Sequence, residues 1–331
     1  MKVAVGGLGW WGKQIISCLE KSPKFEVLYG VDPSPPDDIA AFRQSHDFTL
    51  EADLDKVLAD PAVEGVFLAT PHALHEEQAL RVIGAGKELF CEKPLTMTAD
   101  GARRVVDACQ KAGKVLGIGH ERRYEPAFEE LQRMIAAGEL GKLLMFEANI
   151  SHDQFRKLAA TNWRLDPTHA PAGMMTAVGI HMTDLFTHLA GPAAEVTARA
   201  GSTIFAPPAQ DFVSADILFK SGVRASFRSL SVTPFYSRFT AFGDKGWVEI
   251  IGEANVDRGK PTHLIHSDAP EQRRQVTYEA NDAVTQNFEA WADAVQGKAA
   301  YRFTPQELVE NIKIFEAITK SAASDGATET L

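Results

Sequence analysis

Three glycines near the start of the chain have the spacing of a phosphate-binding loop. The segment 7–12, GLGWWG, directly follows a predicted strand and opens a predicted helix. In such a loop the first glycine permits the tight turn, the second admits a pyrophosphate, and the third lets helix and strand pack closely. The N–H groups of the helix start then face the phosphates. We therefore predict a dinucleotide site at Gly7, Gly9 and Gly12, with Trp10 and Trp11 beside it.

An aspartate at the end of the next predicted strand bears on which dinucleotide binds. Asp32 follows Gly12 at about the 20-residue interval at which a carboxylate accepts hydrogen bonds from the adenosine ribose. The alternative is an aspartate that only begins a turn before Pro33. The carboxylate would repel a 2′-phosphate, and the nearest arginine, Arg43, belongs to the following predicted helix. NAD is therefore favoured over NADP.

Further cofactor contacts are expected where the next predicted strand ends. Thr70 and Pro71 follow that strand at the carboxyl edge of the sheet, where open α/β folds bind their ligands. Both are predicted to touch the cofactor. His75 is a weaker candidate, because a histidine at this place more often packs within the next helix than reacts.

Lys93 is the residue of this region best suited to acid-base chemistry. Glu92 and Lys93 reach the same sheet edge, and both are expected near the cofactor. Pro94 restricts the backbone before it, so the lysine is held on a rigid turn that can include a cis bond. Burial and the positive charge of oxidised nicotinamide would depress the lysine pKa toward the working pH. The alternative is a solvated lysine at the surface.

Longer stretches of the sequence resemble the glucose-fructose oxidoreductase, inositol dehydrogenase and rhizopine-catabolism family (Gfo/Idh/MocA). The likeness spans nearly the whole chain, and Glu92-Lys93-Pro94 is its most specific element. It is carried by the loop 7–12, the segment 85–94 (AGKELFCEKP), Gly119 with Arg123-Tyr124-x-Pro126, Asn162-Trp163-Arg164, Gly179-x-His181-x-x-Asp184 and the final helix from Thr304. The resemblance implies a Rossmann domain followed by an α/β domain whose open sheet often forms subunit contacts.

The resemblance also implies roles for particular side chains. Lys93 would assist proton transfer, with His181 as its partner near the substrate hydroxyl. Asp184 would lie on the same helical face as His181, where it can hydrogen-bond an imidazole or the substrate. Many family dehydrogenases carry Asp or Asn four residues before this histidine, whereas this sequence has Ala177, which can neither relay a proton nor bind a hydroxyl.

Substrate contacts are expected from His181 and from residues in two other motifs. Arg123 and Arg164 can each clamp a carboxylate, and Trp163 offers a flat wall for a sugar ring. Salt bridges and a core tryptophan are equally compatible with these residues. Weaker candidates are His152 and Asp153. His188 shares a helical face with His181 and Asp184, but two helical turns separate the histidines and no further ligands are evident, so we expect no metal.

The elements that must position these residues form two patterns. Over the first 120 residues, apolar runs alternate with amphipathic segments, which is typical of a parallel sheet covered by helices. The predicted strands are Val3–Val5, Val27–Val31, Gly65–Ala69, Leu89–Cys91 and Val115–Ile118; the predicted helices are Trp11–Lys21, Asp37–Ser45, Asp55–Ala59, Leu74–Ala85 and Ala99–Ala112, the last capped by Thr98. We predict an α/β protein with a doubly wound Rossmann domain over residues 1–122.

After Pro126 the pattern becomes rich in strands. We expect residues 123–331 to form an α+β domain for substrate binding and oligomerisation, with an open, mainly antiparallel sheet. Its elements are helices Ala127–Ala137 and Met175–Leu189, a strand Leu143–Ile150, several β-rich runs between Val196 and Val276, and a last helix with a capping box at Thr304–Glu307 that ends near Ala323. The many apolar positions in the β-rich runs predict a homodimer or homotetramer.

Composition limits the classes of function. The net charge of −10 is scattered, without the basic face that a nucleic-acid site needs. We expect neither a signal peptide nor a membrane span, because the first residues read as a strand and no apolar run is long enough for a bilayer. Cys18, Cys91 and Cys109 are too few and too scattered for a disulfide framework, which suits a reducing compartment. We expect a cytoplasmic protein whose partner is a small molecule, not a nucleic acid or a membrane.

Together these features predict an NAD(P)-dependent oxidoreductase, with NAD favoured. It would move a hydride between nicotinamide and a carbohydrate-like alcohol or ketone, such as a sugar, polyol, inositol or sugar acid. One alternative is a redox-neutral NAD-dependent enzyme that cleaves glycosides through a transient ketone. Another is a non-catalytic dinucleotide-binding regulator, which would leave Lys93 and His181 without a role.

Overall fold

The computed structural model describes all 331 residues and divides the chain into two compact units. The first unit consists of Met1–His120 and Val284–Val309, and the second of Glu121–Ala283 and Glu310–Leu331. A later segment of the chain therefore returns to the first unit, which a single boundary at residue 122 does not describe. None of the helices combines the length and the hydropathy needed to cross a membrane.

The first unit contains a parallel sheet of six strands in the order β3-β2-β1-β4-β5-β6. Its strands are β1 Lys2–Gly6, β2 Glu26–Val31, β3 Thr49–Glu51, β4 Gly65–Leu68, β5 Glu88–Cys91 and β6 Leu116–Ile118. This order confirms the Rossmann prediction. The sequence analysis missed only β3, a three-residue edge strand with no fully buried residue to give an apolar run.

Five helices connect these strands, and most lie close to their predicted positions. They are α1 Trp10–Lys21, α2 Ile39–Phe42, α3 Leu54–Ala59, α4 His75–Gly84 and α5 Ala99–Lys111. The predicted cap of α5 is confirmed, because the Thr98 hydroxyl accepts a hydrogen bond from the Gly101 N–H at 3.1 Å. The prediction of one helix over Asp37–Ser45 was too long, since the chain continues beyond Phe42 as turns.

The second unit contains a nine-stranded sheet in the order β14-β13-β12-β11-β7-β10-β9-β8-β15. Its strands are β7 Leu143–Ser151, β8 Ala193–Gly201, β9 Phe212–Phe219, β10 Arg224–Leu230, β11 Tyr236–Gly243, β12 Gly246–Gly252, β13 Thr262–Ala269, β14 Gln272–Tyr278 and β15 Glu329–Thr330. Every neighbouring pair is antiparallel except β7 with β10. The sheet is open at both edges, as predicted.

Helices α6 Pro126–Ala136 and α7 Gly179–Ala190 pack on this sheet. Residues Gly179–Thr187 of α7 are all buried, so the helix has no solvent face. The prediction that this helix begins at Met175 was wrong. Gly173–Met175 forms a separate 3₁₀ turn, and the backbone of Val178 leaves the helical region at φ −134°.

Helix α8, Ala283–Val295, explains why the chain returns to the first unit. Phe288 lies 5.1 Å from Phe67 and 4.9 Å from Phe90 between ring centroids. Trp291 is fully buried in the same cluster and donates a hydrogen bond to the Val115 carbonyl at 2.9 Å. These aromatic side chains cover one face of the parallel sheet. The last helix, α9 Pro305–Ala323, has the predicted capping box, in which Thr304 and Glu307 each accept the other's N–H.

Candidate functional site

The glycine loop has the geometry that a bound pyrophosphate requires. Gly7 has φ +85°, and a Cβ there would lie 2.6 Å from the Ala69 carbonyl oxygen. A Cβ on Gly12 would lie 1.8 Å from the Gly7 carbonyl oxygen, so helix α1 approaches β1 too closely for any side chain. At Gly9 the corresponding position has no atom within 4 Å. Packing thus requires two of the glycines, while the third faces open space where a ligand can approach the backbone.

The start of α1 completes this cradle. Gly9 is the N-cap of the helix and provides no side-chain cap, and the first turn contains no acidic residue. Its N–H groups and the positive end of the helix dipole suit an anionic ligand. The ring of Trp10 is 54% exposed beside the loop, and the ring of Trp11 lies 5.3 Å from it. The residues present therefore fit the dinucleotide that the sequence predicts.

Asp32 connects the glycine loop to the end of β2. Its Oδ2 accepts a hydrogen bond from the Leu8 N–H at 2.8 Å, and its Oδ1 accepts one from the Ser34 N–H at 2.9 Å. Each carboxylate oxygen has a second lone pair, so the group can still accept a ribose hydroxyl. The nearest arginine in sequence, Arg43, is directed at Phe48: its Nε donates to the Phe48 carbonyl and its guanidinium lies over the Phe48 ring.

His75 links two loops through its ring nitrogens. The sequence analysis predicted that it contacts the cofactor, and its burial argues against that contact. The ring is fully buried, with Nδ1 2.7 Å from the Pro94 carbonyl oxygen and Nε2 2.9 Å from the Thr70 carbonyl oxygen. Burial lowers the pKa of the imidazole, and the two carbonyl contacts oppose this effect. Both nitrogens are thus engaged by the protein, while Thr70 and Pro71 themselves keep solvent exposure at the sheet edge.

Lys93 lies directly after β5 with its side chain half-buried, and the predicted cis bond to Pro94 is confirmed. The adjacent Glu92 is buried and packs so closely on Gly119 that a Cβ there would lie 2.5 Å from the carboxylate oxygens. Burial raises the pKa of Glu92, and the neighbouring Lys93 ammonium opposes the rise. Glu92 is therefore a buried carboxylate next to Lys93, at the carboxyl edge of the parallel sheet.

In the second unit, Arg123 and Asp184 form a buried bidentate ion pair. Arg123 Nε donates to Asp184 Oδ2 at 2.8 Å and its Nη2 donates to Oδ1 at 2.6 Å. Both side chains are only 2% exposed, and Arg123 Nη1 lies 3.0 Å from Nδ1 of His188. This corrects the prediction of a carboxylate clamp at Arg123, because the fork is already filled by Asp184. The partner of Asp184 is likewise a guanidinium and not an imidazole.

A carboxylate that the sequence analysis missed lies beside His181. Oε1 of Glu121 is 3.9 Å from Nε2 of His181, and the two side chains are 7% and 5% exposed. Glu121 begins a short 3₁₀ segment, Glu121–Tyr124, which packs against α7. The only sequence signal was its position two residues after Gly119, close to the end of a predicted strand.

The remaining substrate candidates lie in the second unit, which also contains a cavity of about 710 Å³. Trp163 lines this cavity, and the guanidinium of Arg164 lies 4.3 Å above its ring centroid. Arg164 is exposed as a whole residue, although partial burial of its guanidinium lowers the pKa. His152 is buried, and its Nδ1 accepts a hydrogen bond from the Gln154 N–H at 3.3 Å. Asp153 is half-buried beside it.

Two family descriptions match this chain. Residues 1–120 match "Oxidoreductase family, NAD-binding Rossmann fold", and residues 128–249 match "GFO/IDH/MocA C-terminal domain". The two matches correspond to the parallel sheet and to much of the nine-stranded sheet.

Individual relatives cover most of the chain. It is 29% identical to the 1,5-anhydro-D-fructose reductase of Ensifer adhaerens over 279 residues, which are 83% of this chain and 82% of that protein. It is 28% identical to the D-xylose 1-dehydrogenase (NADP(+)) 2 of Haloferax volcanii over 278 residues, 83% of each. The structure of a levoglucosan dehydrogenase in complex with NADH superimposes with a TM-score of 0.84 at 20% identity, covering 100% of this chain and 98% of that one. This structural likeness shows a shared fold.

Proposed function

The chain belongs to the Gfo/Idh/MocA family of oxidoreductases, and from this membership we propose that it exchanges a hydride between NAD and a carbohydrate-like alcohol or ketone. The main support for the proposal is the open space beside Gly9. The two other glycines of the loop, Gly7 and Gly12, cannot accept a side chain. The open space provides a place for a pyrophosphate against bare backbone at the start of α1. The relatives named as a sugar reductase and a sugar dehydrogenase support the substrate class.

The proposed cofactor is NAD rather than NADP. One relative is named as an NADP(+) enzyme, so family membership alone does not choose between the two. In this chain Asp32 presents a carboxylate at the end of β2, and Arg43 is held by Phe48. A 2′-phosphate would thus meet a negative charge without a compensating cation. The remaining contacts are assigned to Gly7, Gly9, Trp10, Trp11, Gly12, Thr70, Pro71 and Lys93.

Proton transfer is assigned to Lys93 and His181, as the family resemblance implies. When bound, NAD supplies hydride exchange at its nicotinamide ring. Lys93 holds or releases the proton at Nζ, on a turn that His75 fastens through the Pro94 carbonyl. His181 serves as the second acid-base group. Asp184 is proposed to act only through Arg123, because the two side chains neutralise each other in a buried pair.

Substrate binding is assigned to His181, Trp163 and Arg164, with His152 and Asp153 as secondary contacts. Trp163 lines the cavity of the second unit, and an aromatic wall suits the apolar face of a sugar ring. Arg164 supplies a positive charge over that ring, which favours a substrate with a carboxylate or several hydroxyls. A sugar acid or polyol fits this combination.

We propose that residues 1–122 carry the cofactor and residues 123–331 the substrate contacts, in a cytoplasmic homodimer or homotetramer. The three cysteines are not joined in disulfides, which supports a reducing compartment. Exposed apolar side chains on the nine-stranded sheet, including Tyr236 and Val276, support burial against a second copy.

The test is to incubate the purified protein with NAD and a panel of sugars, inositols and sugar acids while following NADH absorbance. A dehydrogenase accumulates NADH with at least one of them. A redox-neutral glycosidase instead releases an aglycone without net NADH. Tight NAD binding with neither product would contradict the proposal and leave the dinucleotide-binding regulator.

A further inference from the structure

We propose that Glu121 is a positioning residue that acts through His181: the Glu121 carboxylate stabilises the protonated form of the imidazole. The inference deepens the proposed function and rests on it for the catalytic consequence, but the pairing itself is a property of the second unit. The main observation is the distance of 3.9 Å between Glu121 Oε1 and His181 Nε2. A carboxylate this close to an imidazole favours imidazolium over the neutral ring.

Burial strengthens the electrostatic interaction between Glu121 and His181. Glu121 and His181 are 7% and 5% exposed at their side chains, so water screens their interaction weakly. A buried carboxylate is costly unless positive charge or hydrogen bonds compensate it. An imidazole that gains a proton beside Glu121 supplies that charge.

The two arginines next to Glu121 are bound to other carboxylates. Arg122 Nη1 donates to Glu125 at 2.9 Å, and Arg123 pairs with Asp184. Each of these pairs neutralises itself. In the segment Glu121–Tyr124, Glu121 is the carboxylate that lies within 4 Å of His181.

Other groups that can carry a charge also lie on α7 or pack against it. On its own helix Asp184 and His188 both contact Arg123. The other elements packed against α7 present mainly uncharged side chains: Phe146 and Ala148 from β7, Phe227 and Ser229 from β10, Met174 and Met175 from the 3₁₀ turn, and Asn311 from α9. Among these groups, Glu121 is the carboxylate that lies within 4 Å of the His181 ring.

The chemistry of the proposed reaction explains why such a carboxylate is useful. Oxidation of an alcohol breaks its C–H bond by hydride transfer to the oxidised nicotinamide and its O–H bond by proton transfer to a base. The product is a ketone, the reduced cofactor and a protonated base. Ala177, which lies just before α7, supplies no carboxylate. Glu121, from a different part of the chain, supplies one that stabilises His181 once it carries the proton.

The decisive measurement is the protonation midpoint of the His181 ring, followed by NMR on the full chain labelled at histidine. The chain has ten histidines, and the His181 signals are those missing from His181→Gln. Glu121→Gln is expected to lower the midpoint by about one pH unit or more, since it removes an opposite charge within 4 Å. Glu147→Gln is the control, because it removes a partly exposed carboxylate from β7, a strand that packs on α7, and it should leave the midpoint unchanged.

The outcomes separate this inference from the proposed function. An unchanged His181 midpoint in Glu121→Gln overturns the pairing, even if the wild type oxidises a sugar. A lowered midpoint supports it, even if no substrate has been found. If Glu121→Gln does not fold, Glu121→Asp withdraws the carboxylate by one methylene and should lower the midpoint by a smaller amount; no change there also overturns it. With a substrate in hand, Glu121→Gln should lower kcat about tenfold or more, with the acidic limb of its pH profile shifted in parallel with the NMR midpoint.

Discussion

His75 and Pro94 are joined at 2.7 Å between the ring Nδ1 and the main-chain carbonyl oxygen. The same ring reaches the Thr70 carbonyl at 2.9 Å, so one buried side chain fastens together the loops that follow β4 and β5. Lys93 precedes Pro94, and its position therefore depends on a histidine that need not touch a ligand.

The stability of the protein should depend on pH through His75. Burial lowers the folded-state pKa of this ring, so the unfolded chain binds the proton first as pH falls. Folding stability from this group is then present above about pH 6.5, the unfolded value, and is lost below it, by up to about 1.4 kcal/mol per pH unit. Urea unfolding at several pH values should show a steeper acid loss for the wild type than for His75→Gln. A wild type that gains stability from this group on acidification would instead indicate an imidazolium in the folded protein.

Lys93→Arg should separate an acid-base role from an electrostatic one. Arginine keeps the positive charge but does not lose its proton at ordinary pH. We expect NAD affinity to be preserved while turnover falls by about 10²–10⁴-fold, the usual contribution of a positioned acid-base group. His181→Ala should be similarly harmful. Steady-state kinetics with NAD titrations provide the measurement, and near wild-type turnover in Lys93→Arg would move the role to His181.

Asp32→Ser should weaken the preference for NAD over NADP. The substitution removes the negative charge that opposes a 2′-phosphate, yet it adds no cation, so NADP binding should improve without exceeding that of NAD in the wild type. It also removes the carboxylate that accepts the Leu8 N–H, which should weaken NAD binding. Fluorescence titration of both cofactors measures the change. Tighter binding of NADP than of NAD to the wild type would refute the carboxylate argument.

Asp184→Asn should affect stability more than chemistry. The substitution leaves the buried guanidinium of Arg123 without its counter-charge, and breaking such a pair costs about 3–5 kcal/mol. Asp216→Asn is the control, because its pair with Arg228 is exposed and should contribute at most about 1 kcal/mol. Urea unfolding of both variants provides the comparison, and equal losses would contradict the assignment.

The nine-stranded sheet should be buried against another copy of the chain. Leu144, Leu230, Tyr236 and Val276 are exposed apolar residues on or next to its strands. Sedimentation at micromolar concentration should show a dimer or tetramer, and a clean 36.1 kDa monomer would contradict this expectation.

Much of the fold was predictable because local patterns specify it. The glycine loop, the alternation of strands and helices, the Thr98 cap and the Thr304 capping box all depend on residues close together in sequence. The analysis missed the short strand β3 and the whole of helix α8, Ala283–Val295, and it misplaced the start of α7. These depend on packing with distant residues, which a periodic pattern does not contain.

The sequence alone determined the kind of protein: a Rossmann oxidoreductase whose glycines, Asp32 and Lys93 follow known spacings, since backbone conformation and chain order set those positions. Only the tertiary structure decided which side chains pair. Arg123 and Asp184 are 61 residues apart and Glu121 and His181 almost as far, and each pair forms because folding buries its charges together. In a buried site with little water, a charged group is stable only when an opposite charge or hydrogen bonds compensate it. The spacing of residues along the sequence does not specify which group provides that compensation.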